Sequence, residues 1–144
     1  MSLKVMPMSV IRSKRGESEA EFLVTARRLQ IMTIQKCVNA IPKRYTFFIA
    51  TPLADSARRV YECVKRGNSI NPTLGNAHEV QLRRDWFLQA NAELYNLVGQ
   101  IEVANELVHF DPAILKEWSG MISTEIRLVK GVLRADRERY KPNR

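Results

Sequence analysis

Cysteine is scarce in this chain: Cys37 and Cys63 are the two among 144 residues. Two thiols make neither a disulfide framework nor a zinc ligand set, and both fall in helical patterns. The chain therefore reads as reduced, intracellular and cytoplasmic. Glycine and proline number six each, too few for a linker-rich, collagenous or low-complexity sequence. No uninterrupted apolar stretch approaches the ~18 residues of a membrane span. Met1 to Val10 is broken by Lys4 and Pro7 and lacks the apolar run of a secretory signal. Strand-like alternation is absent, as are the phosphate-loop, H-E-x-x-H and G-x-S-x-G motifs. What remains is a chain of one-domain length, with 45% hydrophobic and 26% charged residues, the balance of a globular protein that buries a core.

The formal net charge of +8 is unevenly spread. Residues 1–84 hold 15 basic and 6 acidic side chains, whereas residues 85–115 have no Lys or Arg and five acids. Residues 116–144 return to 8 basic against 4 acidic. The excess belongs to the first half and the tail, a polarity that favours an anionic partner on one side of the molecule.

Periodicity predicts four helices. Residues 1–16, with Lys4, Arg12, Lys14, Arg15 and no acid, read as a basic N-terminal arm. Ser18 with Glu21 is a capping-box pattern that starts the first helix. Phe22, Ala26, Leu29, Ile34, Cys37, Val38 and Ile41 then occupy one half of its wheel, and Pro42 ends it. The second helix is expected from about Arg44 to Arg66, closed by Gly67-Asn68, with Leu53, Ala57, Val60 and Val64 inward. Pro52 interrupts it, either as the first turn after a Thr51 cap or as a bend. Residues 67–78 are the one substantial loop. The third helix, about Glu79 to His109, carries a heptad seam of Phe87, Ala90, Leu94, Leu97, Ile101, Ala104 and Val108. Asp111-Pro112 caps the fourth, which runs to about Asp136 with Ile114, Trp118, Met121, Ile122, Leu128, Val129 and Val132 inward. Long helices with mostly short connections predict an all-α, up-down four-helix bundle over residues 17–138, followed by a basic tail at 139–144.

Enzymatic signatures are missing. Glu106 and His109 have an E-x-x-H spacing, but a di-iron bundle needs two such pairs and two further glutamates. Neither His78 nor His109 follows an Arg at the short helical spacing that some bundle RNases use. No metal, cofactor or catalytic activity is expected. Cys37 and Cys63 read as small buried hydrophobes. Glu125 is unusual: seven residues after Trp118, it points with the core stripe and needs a partner, for which Arg27 is a candidate.

Two surfaces stand out instead. Arg58, Arg59, Lys65 and Arg66 lie away from the second helix's apolar stripe, diluted by Asp55 and Glu62. Arg28, the Lys43-Arg44 turn and Lys14-Arg15 of the arm extend this surface, whose partner would be phosphate. Opposite the heptad seam, the third helix presents Ala92, Tyr95, Gly99 and Val103, where a solvated helix should be polar. A helix apolar on two sides is buried on two sides, so this face is expected to meet another subunit, with Glu102 and Glu106 as an acidic rim.

The strings SVIRSKRGESEAEF, RVYECVKRGNSI and LRRDWFLQANAEL resemble the small basic four-helix-bundle proteins grouped with the accessory variability determinant (Avd) of diversity-generating retroelements. The ribosomal intervening-sequence bundle proteins share that architecture. The resemblance spans roughly residues 9–136 and rests on pattern and charge. It implies a non-enzymatic, ring-forming and typically pentameric bundle that associates with a reverse transcriptase and binds RNA or DNA through a basic surface. Pro52 departs from the smooth second helix expected in that family. An interaction scaffold without nucleic-acid binding is the competing expectation.

Overall fold

The computed structural model describes residues 20–142. Lys14 and Arg15, the rest of the arm, Ser18 of the expected capping box and the last two residues lie outside that span; the first helix begins at Glu21, later than expected, with Ala20 at its cap position and no side-chain cap. The described residues form four α-helices and no strand: α1 (Glu21–Ala40), α2 (Thr51–Ser69), α3 (Ala77–Val108) and α4 (Pro112–Arg139). Each helix packs on its sequence neighbours, and α1 closes the ring on α4. Residues pair in opposite directions along α2 and α3, with Gly67 against Phe87, Arg59 against Glu93 and Ser56 against Gln100. That is the up-down bundle that the periodicity predicts.

The heptad seam of α3 is the spine of the core. Phe87, Ala90, Leu94, Leu97, Ile101 and Ala104 are all buried, and Val108 is partly so. Leu53, Ala57, Val60 and Val64 face it from α2, and Trp118, Ile122, Val129 and Leu133 from α4. The stripe of α1 is narrower than half a wheel. Leu23, Ala26, Leu29, Thr33 and Cys37 are buried, whereas Ile34 and Val38 are exposed, Val38 at 75%. Each follows a buried residue by one position and is turned about 100° further round, past the groove between two neighbours. Thr33 is inside for a reason: its hydroxyl accepts a 3.0 Å hydrogen bond from the Trp118 indole N–H.

The second helix departs from expectation at both ends. The chain does not start afresh at a Thr51 cap; Ala50 and Thr51 are both helical and no side chain caps them. A 3-10 turn (Lys43–Tyr45) and a π turn (Thr46–Ala50) lead directly into α2. Thr51 N–H reaches back five residues to the Thr46 carbonyl. Proline lacks a donor and crowds the carbonyl four residues earlier, so a wider turn before Pro52 accommodates both problems without breaking the helix. At the other end Gly67 is not a terminator. The helix runs to Ser69 and is capped by Ile70, leaving a shorter loop than expected. Gly67 is buried against the Phe87 ring, where a Cβ would lie 2.7 Å from Cε2.

Asp111 caps α4 as expected, whereas α3 begins at Ala77, two residues before the expected Glu79, with Asn76 as its cap. Asn76 Oδ1 accepts from Glu79 N–H at 3.0 Å, and Glu79 accepts from the backbone and hydroxyl of Thr73. His109 closes α3 in the left-handed region (φ 58°), its N–H bonded to the Asn105 carbonyl. Asp111 Oδ1 accepts from Ala113 N–H at 2.8 Å. The fourth helix continues three residues past Asp136 to Arg139, because Asp136 is itself part of the packed face.

Candidate nucleic-acid interface

Helix α2 presents its outer side between α1 and α3, and the basic residues divide there into two kinds. Arg58 is exposed but engaged: Nη1 lies 2.6 Å from Glu62 and Nε 3.7 Å from Asp55. Arg59 does not share the open face. It reaches across to α3 and pairs with Glu93 at 3.1 Å on the α2–α3 seam. Lys65 and Arg66, one to two turns further on, are exposed and form no ion pair among the described residues. Each sits by an aromatic ring instead: Lys65 Nζ is 5.3 Å from the Tyr61 centroid, and Arg66 Cζ is 5.0 Å from that of Trp86. Arg28, Lys43 and Arg44 are likewise exposed without an acidic partner among the described residues, and Arg44 lies 4.9 Å over Tyr45. On α2 itself the open positive charge thus lies at the last turns, with more at the α1–α2 turn; α4 carries further exposed cations without an ion pair among the described residues, Lys116, Arg127, Arg134, Arg137 and Arg139.

Arg83 is the cation whose role the sequence reading did not anticipate. It is buried, with Nε 2.6 Å from Asp136 Oδ2 and Nη1 donating to the Gly67 and Ile70 carbonyls. One guanidinium therefore ties the end of α2, the start of α3 and the end of α4 together, and it is withdrawn from any surface. The signal was present in the spacing: Arg83 lies four residues before Phe87, on the seam extended backwards. Asp136 falls likewise on the stripe three residues after Leu133.

Glu125 is fully buried and neither carboxylate oxygen has a hydrogen-bond partner among the described residues, so the expected pairing with Arg27 is not formed. Burial alone lifts its pKa from 4.5 to about 9, so the group is a neutral acid at pH 7. Cys37 is also buried, donates to the Ala50 carbonyl at 3.5 Å, and has its pKa raised to about 11 by desolvation.

The second predicted surface is partly preserved. Ala92, Tyr95 and Val103 are exposed, and Gly99 is half-buried with open space around its missing Cβ. Tyr95 leans toward α4, where Lys130 Nζ donates to its hydroxyl at 3.0 Å. That ammonium is also 5.6 Å from the ring centroid, nearly in line with the C–O bond, so the contact is a hydrogen bond and not a cation over a π face. Gly99 and Val103 line a groove of about 320 Å³ with Phe48, Ile49 and Pro52. Phe47 and Phe48, thrown outward by the π turn, are 78% and 76% exposed and pack edge-to-face on each other. The sequence reading missed these two rings, because an uninterrupted α-helix would have placed them differently. Among the described residues no group of three or more His, Cys, Asp or Glu is placed to hold a metal ion, and no helix is long and apolar enough to cross a membrane.

In comparison with known proteins, the chain matches no family model, no curated protein and no solved structure.

Proposed function

We propose that this bundle is a non-enzymatic accessory protein that binds RNA or DNA through the basic surface of α2 and the α1–α2 turn. The observation that carries this reading is the set of open cations, Lys43, Arg44, Lys65 and Arg66, the last three each beside a half-buried aromatic ring. Cations without acidic partners are free to neutralise phosphate, whereas Arg58 and Arg59 would first have to leave Glu62 and Glu93. The Avd resemblance supplies the setting: a diversity-generating retroelement, whose reverse transcriptase performs the chemistry while this chain engages template RNA or cDNA. Phosphate contacts of this kind confer affinity without reading base sequence.

The test is the salt dependence of binding to unrelated RNA and DNA sequences. Neutralising Lys65 and Arg66 together should weaken all of them alike. It should also make the logarithmic salt slope shallower by ~0.9 per lost duplex-phosphate contact, or ~0.7 on single strands. Neutralising Arg58 and Arg59 should cost less. A folded Lys65/Arg66 variant with unchanged affinity and slope removes this face from the site.

Self-association is proposed alongside it. Phe48 lines the groove of Gly99 and Val103, Phe47 packs on Phe48, and two adjacent rings this exposed are unusual on a monomer. A ring of such bundles would repeat the basic surface and raise avidity without new contacts. If the oligomer forms but nucleic acid does not bind, the scaffold reading replaces the first.

A further inference from the structure

Helix α2 hands its cations to rings, and one of those rings lies on a second element. Trp86, on α3, is half-buried at the α2–α3 seam beneath Arg66, whose Cζ is 5.0 Å from the ring centroid. On the outer face of α3 the same tryptophan borders an open depression of about 510 Å³, shared with the exposed Leu82 and Leu88, Ala92 and Gln89, whose amide oxygen meets Cys63 of α2 at 4.0 Å. No described residue fills this depression; Leu82, Leu88, Ala92 and the indole give it an apolar floor, and Gln89 and Asp85 are its polar edge, Asp85 accepting from the Gln81 amide at 2.8 Å. Tyr61 repeats the arrangement one step away, beneath Lys65.

We propose that Trp86, with Arg66 and Lys65, forms a stacking site for an unpaired base, so that this surface prefers single-stranded to duplex nucleic acid. The inference rests on the nucleic-acid reading above and specifies its substrate. A base offers a flat π face that matches the indole, and stacking it outweighs an exposed cation–ring contact. Arg66 then turns from the ring to the adjoining phosphate, so its charge is used at the moment the ring is covered. Asp85 repels phosphate from the α3 side of the depression, which keeps the strand's backbone along α2. A duplex cannot use the site, because its bases are already stacked inside the helix and only its phosphates face outward.

Tryptophan emission makes the test direct. Trp118 is wholly buried and hydrogen-bonded to Thr33, so Trp86 is the one indole a ligand can reach. The full chain is titrated with oligo-dT and with a duplex of equal length, with anisotropy reporting affinity and emission reporting the ring. Oligo-dT should quench the emission and bind more tightly than the duplex, which should leave the emission unchanged. Trp86→Leu, which keeps apolar bulk, should weaken oligo-dT binding roughly ten-fold and leave duplex binding alone. Trp86→Phe should recover most of the loss, which a merely packing role would not predict for one ligand only. If Trp86→Leu fails to fold by circular dichroism, the wild-type quenching and the Trp86→Phe comparison decide the matter. Salt-dependent binding of both ligands with equal affinity and unquenched emission overturns the stacking site while leaving the nucleic-acid reading intact. Binding to neither ligand overturns both.

Discussion

Replacing Glu125 with leucine takes a buried, unbonded carboxyl out of the middle of the core and leaves apolar volume in its place. In the unfolded chain this carboxyl ionises near its ordinary 4.5, whereas in the bundle it holds its proton to about 9. Between those values the unfolded state binds fewer protons than the folded one, so stability falls as pH rises, by ~1.36 kcal/mol per unit. The contribution is fully present below pH 4.5, is lost progressively, and is gone once pH passes 9. At pH 7, about 2.5 units above the ordinary value, the wild type has lost about 3 kcal/mol through this residue alone. Glu125→Leu should regain that amount and more, since burying an unbonded polar group is itself unfavourable. Glu125→Gln should regain the pH-dependent part only, because its amide stays unbonded in the same place. Urea unfolding followed by circular dichroism at pH 5, 7 and 8.5 measures the difference. The two variants should diverge from wild type with rising pH, with unchanged m-values. Parallel stability profiles for wild type and Glu125→Leu across that range would refute the neutral buried acid.

Gly67→Ala should destabilise the bundle by roughly 1–2 kcal/mol despite alanine's better helix propensity, because the new methyl meets the buried Phe87 ring. The same change at Gly131, where a Cβ meets nothing within 4 Å, should stabilise by about 0.5–1 kcal/mol, and thermal melts of both separate packing from propensity. Gly99→Glu should dissociate the proposed oligomer while each bundle stays helical, as read by light scattering at several concentrations with circular dichroism; a wild type that remains monomeric throughout defeats the interface. Cys37, with its pKa raised to about 11, should resist iodoacetamide at pH 8 in the native protein and react within the ordinary time once unfolded, as mass spectrometry would show.

The helices were legible because their signals are local or strictly periodic. The α3 seam spaces its apolar residues three and four apart, and all but the last of them proved buried. Asp111 with Ala113 is a bond between residues two apart, so that boundary needed no knowledge of the rest of the fold; Asn76 with Glu79 is as local, yet it lies in the stretch read as loop, and α3 begins at Ala77. Gly67 misled for the converse reason. A glycine near a helix end looks like a terminator until Phe87, twenty positions away in sequence, is known to lie against it. Local signals at Pro52 fit either a first-turn proline after a Thr51 cap or a bend; Pro52 does sit in the first turn of α2, but a π turn precedes it in place of a Thr51 cap.

The candidate site divided along the same line. Sequence placed Arg58, Arg59, Lys65 and Arg66 on one helix and off its apolar stripe, which fixed their general direction. Which of them keep free charge depended on partners from elsewhere: Glu93 of α3 takes Arg59, whereas Trp86 of α3 meets Arg66 without neutralising it. The arrest of Arg83 by Asp136 spans 53 positions, and no periodicity within either helix reveals that the two meet. Helix, cap and stripe follow from interactions within a few residues, where the chain's own geometry dictates who is near. Charge pairing, close approach and the exposure of Phe47 and Phe48 follow from which helix lies beside which, and only the packed bundle decides that.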